Sequence, residues 1–382
     1  MTAARVDILV VTDPRFSGGT AASLVSDVEV FVRLGARVGL LCIESGFFKA
    51  APDRPNTRIL ALLDLPGVVR VDGPVSAGIA FLHHPLAFFH GVRNPVEIQS
   101  SHAVLVTHHP PFRGDGSLEY DPLKTTRRIR RDFGCAVLWA PVSGLIRAQL
   151  RSFSPFLRMT RDDWVNTFDG DAWQPRHPVF SGGRAVVGRH GRSDILKWPE
   201  RPDDVLAPLS PGPGWRTRVM GCPPELQEKL GSGAQNWELV PFNGESVPDF
   251  LESLDAFVYF HHARWVEAFG RTVAEAILME RPCILDPHLA PTFGELGYFC
   301  QPQEAPDLLR RLREDPAGTR SRASAARREA IRQYDTAKIE SRLERLYADP
   351  GTRSRLGPKT ASVPVALRKL AGLARRRVAG TI

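Results

Sequence analysis

The stretch Trp265–Pro282, WVEAFGRTVAEAILMERP, places two glutamates, Glu267 and Glu275, eight positions apart across a glycine. The apolar run Ala256–Phe260 precedes it and has the composition of a buried β-strand. The alanine-rich segment Arg271–Met279 is typical of an α-helix, and a proline-led strand follows it. The order strand, loop, helix and strand predicts one βαβ unit of a parallel sheet.

The same alternation runs along the 382-residue chain, which is long enough for two hydrophobic cores. In the first half we predict a helix over Ala21–Leu34 and strands at Val6–Thr12, Arg37–Cys42, Ala103–Thr107 and Cys135–Ala140. After Ser181-Gly182-Gly183 the pattern restarts, with strands at Arg184–Gly188, Trp215–Gly221, Trp237–Val240, Ala256–Phe260 and Pro282–Leu285. The fold class is therefore α/β, with Rossmann-like domains at 1–180 and 181–350 and a basic tail at 351–382.

Composition narrows the class of protein. The five cysteines are odd in number and form no C-x-x-C pair, which argues for reduced thiols and against zinc. Eight cations and no acidic residue follow Pro350, and they account for the whole formal net charge of +8. A neutral body argues against nucleic acid as a partner. The sequence shows neither a signal peptide nor a membrane-spanning segment, which predicts a cytoplasmic protein.

The loop that ends at Gly270 carries the chemistry of the second domain. A helix N-terminus exposes backbone N–H groups and partial positive charge, so it binds phosphate readily. The carboxylates of Glu267 and Glu275 would repel a phosphate, but they can accept hydrogen bonds from hydroxyl groups on either side of it. A nucleotide sugar has this order of sugar, diphosphate and ribose. The alternative is that both glutamates are surface charges that stabilise a helix start.

The string E-A-F-G-x-x-x-x-E-A resembles the Glu-x7-Glu motif of retaining GT-B glycosyltransferases similar to family 4, and Phe269 and Gly270 match it as well. The resemblance implies two Rossmann-like domains that face a cleft. It also implies that Glu267 approaches the donor sugar and Glu275 the ribose. Phe269, Gly270, Arg271 and Thr272 would bind the donor, and the amides at Gly270 to Thr272 would stabilise the charge of its diphosphate.

Two further segments of the second domain match this family. In Val187–Pro199, Arg189 and Lys197 occupy the positions whose cations neutralise the donor diphosphate, although the sequence also fits a solvated basic loop. The loop Val240–Gly244, with Phe242, resembles the segment that offers backbone amides to the nucleobase, or it is an ordinary turn.

In the first domain, Gly18 and Gly19 join a strand to a helix and allow a ligand to approach the backbone closely. A dinucleotide site is an alternative, because Glu44 follows the next strand where a ribose-binding acid would lie, but the G-x-G-x-x-G fingerprint is absent. The resemblance instead places this loop near the donor phosphates or the acceptor, and a plain tight turn also remains open.

Two histidine pairs precede prolines, His83-His84 and His108-His109. The second pair follows a predicted strand, and ligands of open α/β sheets bind beyond the carboxyl ends of strands. The resemblance makes His109 or His108 the candidate beside the reacting anomeric carbon, together with Glu267 as a catalytic residue. Core histidines are the alternative, and no carboxylate or thiol cluster accompanies the pairs to bind a metal.

The sequence thus predicts a metal-independent hexosyltransferase without a cofactor, which uses a nucleotide sugar and a glycan or lipid-linked acceptor. A nucleotide-sugar epimerase, a non-catalytic nucleotide-sugar-binding protein and an NAD-dependent oxidoreductase remain alternatives. In the tail, Leu367, Leu370, Ala374 and Val378 share one helical face. This face predicts peripheral contact with an anionic membrane, a solvated terminus, or a helix that packs back on the body.

Overall fold

A computed structural model of the protein describes residues 3–49, 54–349, 352–353 and 363–378. The chain forms two compact units, one of Met1–Thr167 with Thr336–Ile382 (unit 1) and one of Phe168–Asp335 (unit 2). The predicted domains met at residue 180, and the second of them extended to 350. Unit 2 instead ends at Asp335, and the chain then returns to unit 1.

The strands, numbered along the chain, are β1 (Ala4–Thr12), β2 (Val38–Cys42), β3 (Val68–Arg70), β4 (Val75–His83), β5 (Ile98–Thr107), β6 (Val137–Pro141), β7 (Arg158–Met159), β8 (Ala185–His190), β9 (Trp215–Met220), β10 (Glu238–Val240), β11 (Ala256–Tyr259), β12 (Cys283–Leu285), β13 (Tyr298–Phe299) and β14 (Thr352–Arg353).

The helices are α1 (Gly18–Arg33), α2 (Thr57–Leu60), α3 (Pro85–Phe89), α4 (Pro122–Phe133), α5 (Gly144–Leu150), α6 (Pro202–Leu209), α7 (Pro224–Leu230), α8 (Val247–Glu252), α9 (Arg271–Leu278), α10 (Ala290–Phe293), α11 (Ala305–Glu314), α12 (Pro316–Tyr334), α13 (Lys338–Tyr347) and α14 (Val363–Val378). None of the described helices has the length and apolar composition that a membrane crossing requires.

Among the described residues, the sheet of unit 1 has eight strands in the order β14-β7-β6-β5-β4-β1-β2-β3. β14 runs antiparallel to β7, and the other neighbouring strands are parallel. The central strands β1, β4 and β5 carry long apolar runs, as expected of parallel strands that are covered on both faces. Their carboxyl ends lie at one edge of the sheet.

The described part of unit 2 holds a six-stranded parallel sheet in the order β10-β9-β8-β11-β12-β13. A hydrophobic core that includes Val187, Val219, Val258 and Ile284 lies beside these strands. Two parallel-sheet α/β units confirm the predicted fold class. The βαβ prediction from the opening stretch is also correct, since β11, α9 and β12 follow one another and β11 pairs with β12.

Candidate functional site

The loop between β11 and α9 ends at Gly270, which adopts a left-handed φ of 89° at the N-cap of the helix. A Cβ at this position would lie 3.1 Å from the Phe293 ring and 3.4 Å from Glu267 Cγ, so glycine allows the loop to turn tightly. The hydroxyl of Thr272, in the first turn of α9, is buried without a hydrogen-bond partner. The helix N-terminus therefore presents polar groups that a ligand could satisfy.

Glu267 is held by three donors that all reach the same oxygen. Its Oε2 lies 2.6 Å from the Tyr259 hydroxyl, 3.1 Å from the indole nitrogen of Trp265 and 3.4 Å from Lys197 Nζ. Burial alone would raise the pKa of Glu267, but the Lys197 charge and the two neutral donors outweigh it and lower the pKa to about 2. Glu267 is thus an ionised acceptor, and none of these three donors engages its Oε1.

The pKa of Glu275 is shifted in the opposite direction to that of Glu267. Its Oε2 lies 3.4 Å from Nε2 of His190, and its Oε1 lies 3.6 Å from Nε of Arg271. Burial raises the pKa of Glu275 to about 7, although the Arg271 and Lys197 charges oppose the shift. Burial and the nearby charges of Lys197 and Arg189 lower the pKa of His190 to about 3, so its imidazole is neutral. The carboxyl group of Glu275, in contrast, can change its protonation state near neutral pH.

The side chains of Arg189 and Lys197 are not equally accessible to a nucleotide-sugar donor. Arg189 is 3% exposed, and its guanidinium donates to the backbone carbonyls of Phe260 (2.9 Å) and Lys197 (2.7 Å). It lies against the Trp198 ring at 3.9 Å and the Tyr259 ring at 4.6 Å. Arg189 therefore fixes the segment that carries Lys197, whose ammonium group lies beside Glu267.

Phe269 and Phe242 also differ in exposure. The Phe269 ring is buried against Phe168, Phe293 and Tyr334, with centroids 5.3–6.3 Å apart. Its side chain therefore supports the loop from the core. Phe242 is 47% exposed in the loop after β10.

Gly221, after β9, lies beside Phe242 at the carboxyl edge of the sheet. A Cβ on Gly221 would lie 2.0 Å from the carbonyl oxygen of Gly191, which follows β8, and 3.5 Å from Cβ of Phe242. Gly221 also has a φ of 82°. Glycine at this position lets the ends of β8, β9 and β10 come together and form a surface next to an exposed aromatic ring.

In unit 1, both histidine pairs lie at the carboxyl ends of the adjacent strands β4 and β5. His83 Nδ1 is 3.1 Å from His108 Nε2, and both rings are buried. His109 is more accessible, with 27% of its side chain exposed and its ring 5.6 Å from the His84 ring. Of the two predicted reaction-centre candidates, His109 is therefore the one that a ligand could reach.

His84 is strained and packed against an aromatic cluster. It has a left-handed φ of 72°, its Nδ1 is buried without a partner, and its ring is stacked 4.1 Å from Phe16. Burial lowers the pKa of both His83 and His84 well below the usual histidine value. Phe47 extends the cluster to the surface with 40% exposure. In the described residues, no group of three or more His, Cys, Asp or Glu side chains could hold a metal ion.

The glycine loop after β1 has an open backbone. Gly18 begins α1 with a φ of 61°, and a Cβ there would meet no atom within 4 Å. Asp13 fixes the start of this loop. Its carboxylate accepts hydrogen bonds from the Arg15 guanidinium at 2.6 Å and from the Ser45 backbone N–H at 2.7 Å. Gly19 follows in the first turn of the helix.

Several solved structures with a similar fold are glycosyltransferases. HepE from Anabaena, in complex with UDP and glucose, has a TM-score of 0.63 at 15% identity, over 90% of this chain and 99% of its own. The protein has the GT-B glycosyltransferase fold. A glycosyltransferase from Rickettsia africae gives a TM-score of 0.61 at 12% identity, over 91% of this chain and 98% of its own.

WaaG, a glycosyltransferase involved in lipopolysaccharide biosynthesis, aligns over 88% of this GT-B chain and 98% of its own, with a TM-score of 0.56 and 12% identity. No protein-family model and no curated protein matches the sequence. At such low identities the likeness establishes the fold, and the chemistry has to be inferred from this chain's own side chains.

Sequence reasoning did not select Tyr259, Trp265 or His190 as members of the site. Tyr259 and His190 end the strands β11 and β8, whose carboxyl ends border the site. Trp265 lies within the opening stretch, two residues before Glu267. For Tyr259 and His190, position at a strand end was the available signal. It did not single them out, because they have the ordinary composition of a buried strand.

Proposed function

We propose that the protein is a retaining glycosyltransferase that moves a hexose-type sugar from a nucleotide diphosphate sugar to a hydroxyl group. The supporting observation is the arrangement of Glu267 and Glu275 around the N-terminus of α9, with Lys197 near both. A cation, a helix N-terminus and two flanking carboxylates match the order of charges and hydroxyls in such a donor. HepE, which shares the fold, has been solved with UDP-glucose.

In the proposed donor complex, Lys197 and the backbone amides of Gly270, Arg271 and Thr272 bind the diphosphate. They stabilise the negative charge that the leaving diphosphate develops, and electrostatic stabilisation of this kind is often the largest catalytic contribution. The proposal assigns this role to the protein's own cations and amides, without a metal ion or a cofactor. Glu275 accepts hydrogen bonds from the ribose hydroxyls, and Phe242 lies beside the base.

Glu267 orients the sugar through Oε1, because its other oxygen is already occupied by Tyr259, Trp265 and Lys197. A carboxylate fixed in this way cannot rotate freely, so the sugar hydroxyls that it binds are fixed too. The leaving phosphate takes the acceptor proton, which makes a dedicated base unnecessary. We propose His109 as the first candidate, and His108 as the second, for contact near the reacting carbon. The second substrate would be a glycan or lipid-linked acceptor of surface polysaccharide synthesis.

Donor binding can be tested by measuring the melting temperature with UDP, GDP, ADP, CMP and NAD, each with EDTA and with magnesium. A ligand at about 100 times its dissociation constant adds ~2.7 kcal/mol. For domains of the size of these two units that is several degrees, at about 2–4 °C per kcal/mol. We expect a shift with UDP or GDP that survives EDTA, whereas a shift with NAD alone would overturn the proposal.

Turnover then separates the remaining functions. The stabilising nucleotide names the donor series, and the anomeric configuration of the product, measured by NMR, tests retention. Conversion of the nucleotide sugar without an acceptor would identify an epimerase. Donor binding without turnover, across sugar, glycan and lipid-linked acceptors, would leave a non-catalytic binding protein.

A further inference from the structure

Helix α14 exposes a continuous apolar stripe to solvent. Val363, Leu367, Leu370 and Val378 are 72%, 59%, 44% and 90% exposed, and Ala374 is exposed between them. Their spacing of three, four or eight residues places them on one face of the helix. A helix of 16 residues is about 24 Å long, so the stripe extends over several turns. An exposed apolar surface of this kind usually marks an interaction site.

The opposite face of α14 is already used for packing within unit 1. Lys369 Nζ donates to the backbone carbonyl of Arg151 at 3.0 Å, and the Arg376 guanidinium lies 5.3 Å from the centre of the Phe112 ring. Gly372 and Leu373 are half-buried on the same side. These contacts fix the rotation of the helix about its axis. The apolar stripe is therefore turned outward by the packing.

Charge identifies the partner that suits this stripe. Arg368 and Arg375 are exposed beside it, and the sequence after Pro350 has no acidic residue to neutralise them. We propose that α14 docks the protein on an anionic lipid surface, with the apolar stripe at the boundary between headgroups and acyl chains. Apolar burial and attraction of cations to anionic headgroups act together in such helices.

A second copy of this chain fits the stripe less well. Pairing two stripes would bring Arg368 and Arg375 of one copy close to the same arginines of the other, and no carboxylate in this segment could offset the repulsion. An anionic membrane satisfies the apolar residues and the arginines at once. The proposal does not depend on the identity of the donor or the acceptor, so it can fail or succeed independently of the proposed glycosyltransferase activity.

The test is co-sedimentation of the full chain with vesicles of phosphatidylglycerol and phosphatidylcholine, and with vesicles of phosphatidylcholine alone. We expect binding to the anionic vesicles that weakens as salt is raised. The double variant Leu367→Gln/Leu370→Gln should bind on the order of tenfold or more weakly, because it removes buried apolar area. Arg368→Gln/Arg375→Gln should weaken binding to anionic vesicles by about fivefold per arginine.

The matched control is Leu34→Gln/Leu239→Gln, which removes two leucines of similar exposure (43% and 38%) elsewhere on the surface. This control should bind the vesicles as the unchanged protein does, and all three variants should keep the same melting temperature. Equal binding by the Leu367→Gln/Leu370→Gln variant, or no binding by the unchanged chain, would overturn the proposal. A dimer in sedimentation that only this variant abolishes would replace the lipid with a second copy.

Discussion

The carboxyl edges of the two sheets differ in chemistry. The edge of unit 2 carries fixed charges, with Glu267 held by Lys197 and the Arg189 guanidinium enclosed between two aromatic rings. The edge of unit 1 carries an uncharged aromatic cluster, from Phe16 and Phe47 to the neutral His84, and the charges of Arg15 and Asp13 beside it are paired with each other. The same parallel-sheet architecture therefore supports one edge suited to an anion and one suited to an uncharged molecule. In the proposed reaction, these are the donor and the acceptor hydroxyl.

The largest effect is expected from Lys197→Ala, which removes the cation that lies beside Glu267 at the charged edge. Hydrogen bonds to charged groups contribute about 1.5–3 kcal/mol, so kcat/KM and donor affinity should fall by roughly 10–150-fold. Lys229→Ala, which removes an exposed lysine of the same unit, is the control and should change neither quantity. Unaltered turnover by the Lys197→Ala variant would show that the charged edge is not the donor site.

The next effect is on stability. Tyr259→Phe removes the shortest hydrogen bond to the buried Glu267 carboxylate and should lower the free energy of unfolding by ~1.5–3 kcal/mol near neutral pH. The Glu267 pKa is depressed in the folded state, so its contribution to stability is complete above the unfolded value near 4.5 and is lost as pH falls toward about 2. The difference in unfolding free energy between the variant and the unchanged protein, measured by urea denaturation, should therefore decrease only at acidic pH.

Tyr298→Phe is the matched control, because Tyr298 is half-buried in the same sheet and its ring stacks on Arg322 rather than supporting a carboxylate. It should unfold close to the unchanged protein at every pH. A Tyr259→Phe variant that behaved in the same way would mean that Glu267 does not need its neutral donors.

A third effect concerns Glu275, whose pKa of about 7 makes donor affinity pH-dependent. Ribose hydroxyls bind the ionised carboxylate, so affinity for UDP should rise as pH increases through 7 and level off above it. At about one pH unit below the pKa, roughly nine-tenths of the group is protonated and affinity should be about tenfold lower. Isothermal titration calorimetry from pH 6 to 8.5 measures the profile.

Glu275→Gln separates this ionisation from that of UDP itself, which titrates in the same range. The variant should bind UDP on the order of tenfold more weakly at pH 8 and nearly as well as the unchanged protein at pH 6. The same pH profile in both proteins would remove Glu275 from the ribose site.

The smallest effect is expected at the uncharged edge. Phe47→Ala truncates the exposed ring of the aromatic cluster and should raise the KM for the acceptor by roughly three- to tenfold, as for the loss of one stacking contact. The affinity for UDP should not change. Leu34→Ala, which truncates a side chain of similar exposure (43%) in the same unit, is the control. A change in UDP affinity alone would contradict the assignment of opposite roles to the two edges.

Local patterns were sufficient to predict much of unit 2. The strand–loop–helix at Ala256–Leu278 was predicted because its apolar run, its glycine and its alanine-rich segment are each distinct in the sequence.

In unit 1, β4 was missed because Gly78 interrupts an otherwise suitable apolar run. The structure gives the reason for this glycine, since a Cβ there would lie 2.9 Å from the Tyr347 hydroxyl of α13.

Long-range contacts explain what the sequence could not show. Residues after 335 continue the charged helical pattern of α12, so the sequence assigned them to the second domain. In the structure, Arg342 donates to the carbonyl of Val165 at 2.9 Å, and Asp349 accepts from the Arg161 backbone at 2.6 Å. Likewise, the direction of the Arg189 side chain depends on the carbonyl of the residue after β11 and on that of a later turn. Neither pairing leaves a local pattern.

The return of the chain to unit 1 has a consequence for protein engineering. Unit 2 begins at Phe168 and ends at Asp335, and these two residues are paired by a parallel β-bridge. The unit is thus encoded as one uninterrupted cassette whose ends lie side by side, whereas unit 1 is split into two coding segments. Removing the cassette requires only a short connection between the two segments of unit 1. Joining the two ends of the cassette with a linker permits circular permutation. Cassettes could therefore be exchanged between proteins of this fold at these two junctions.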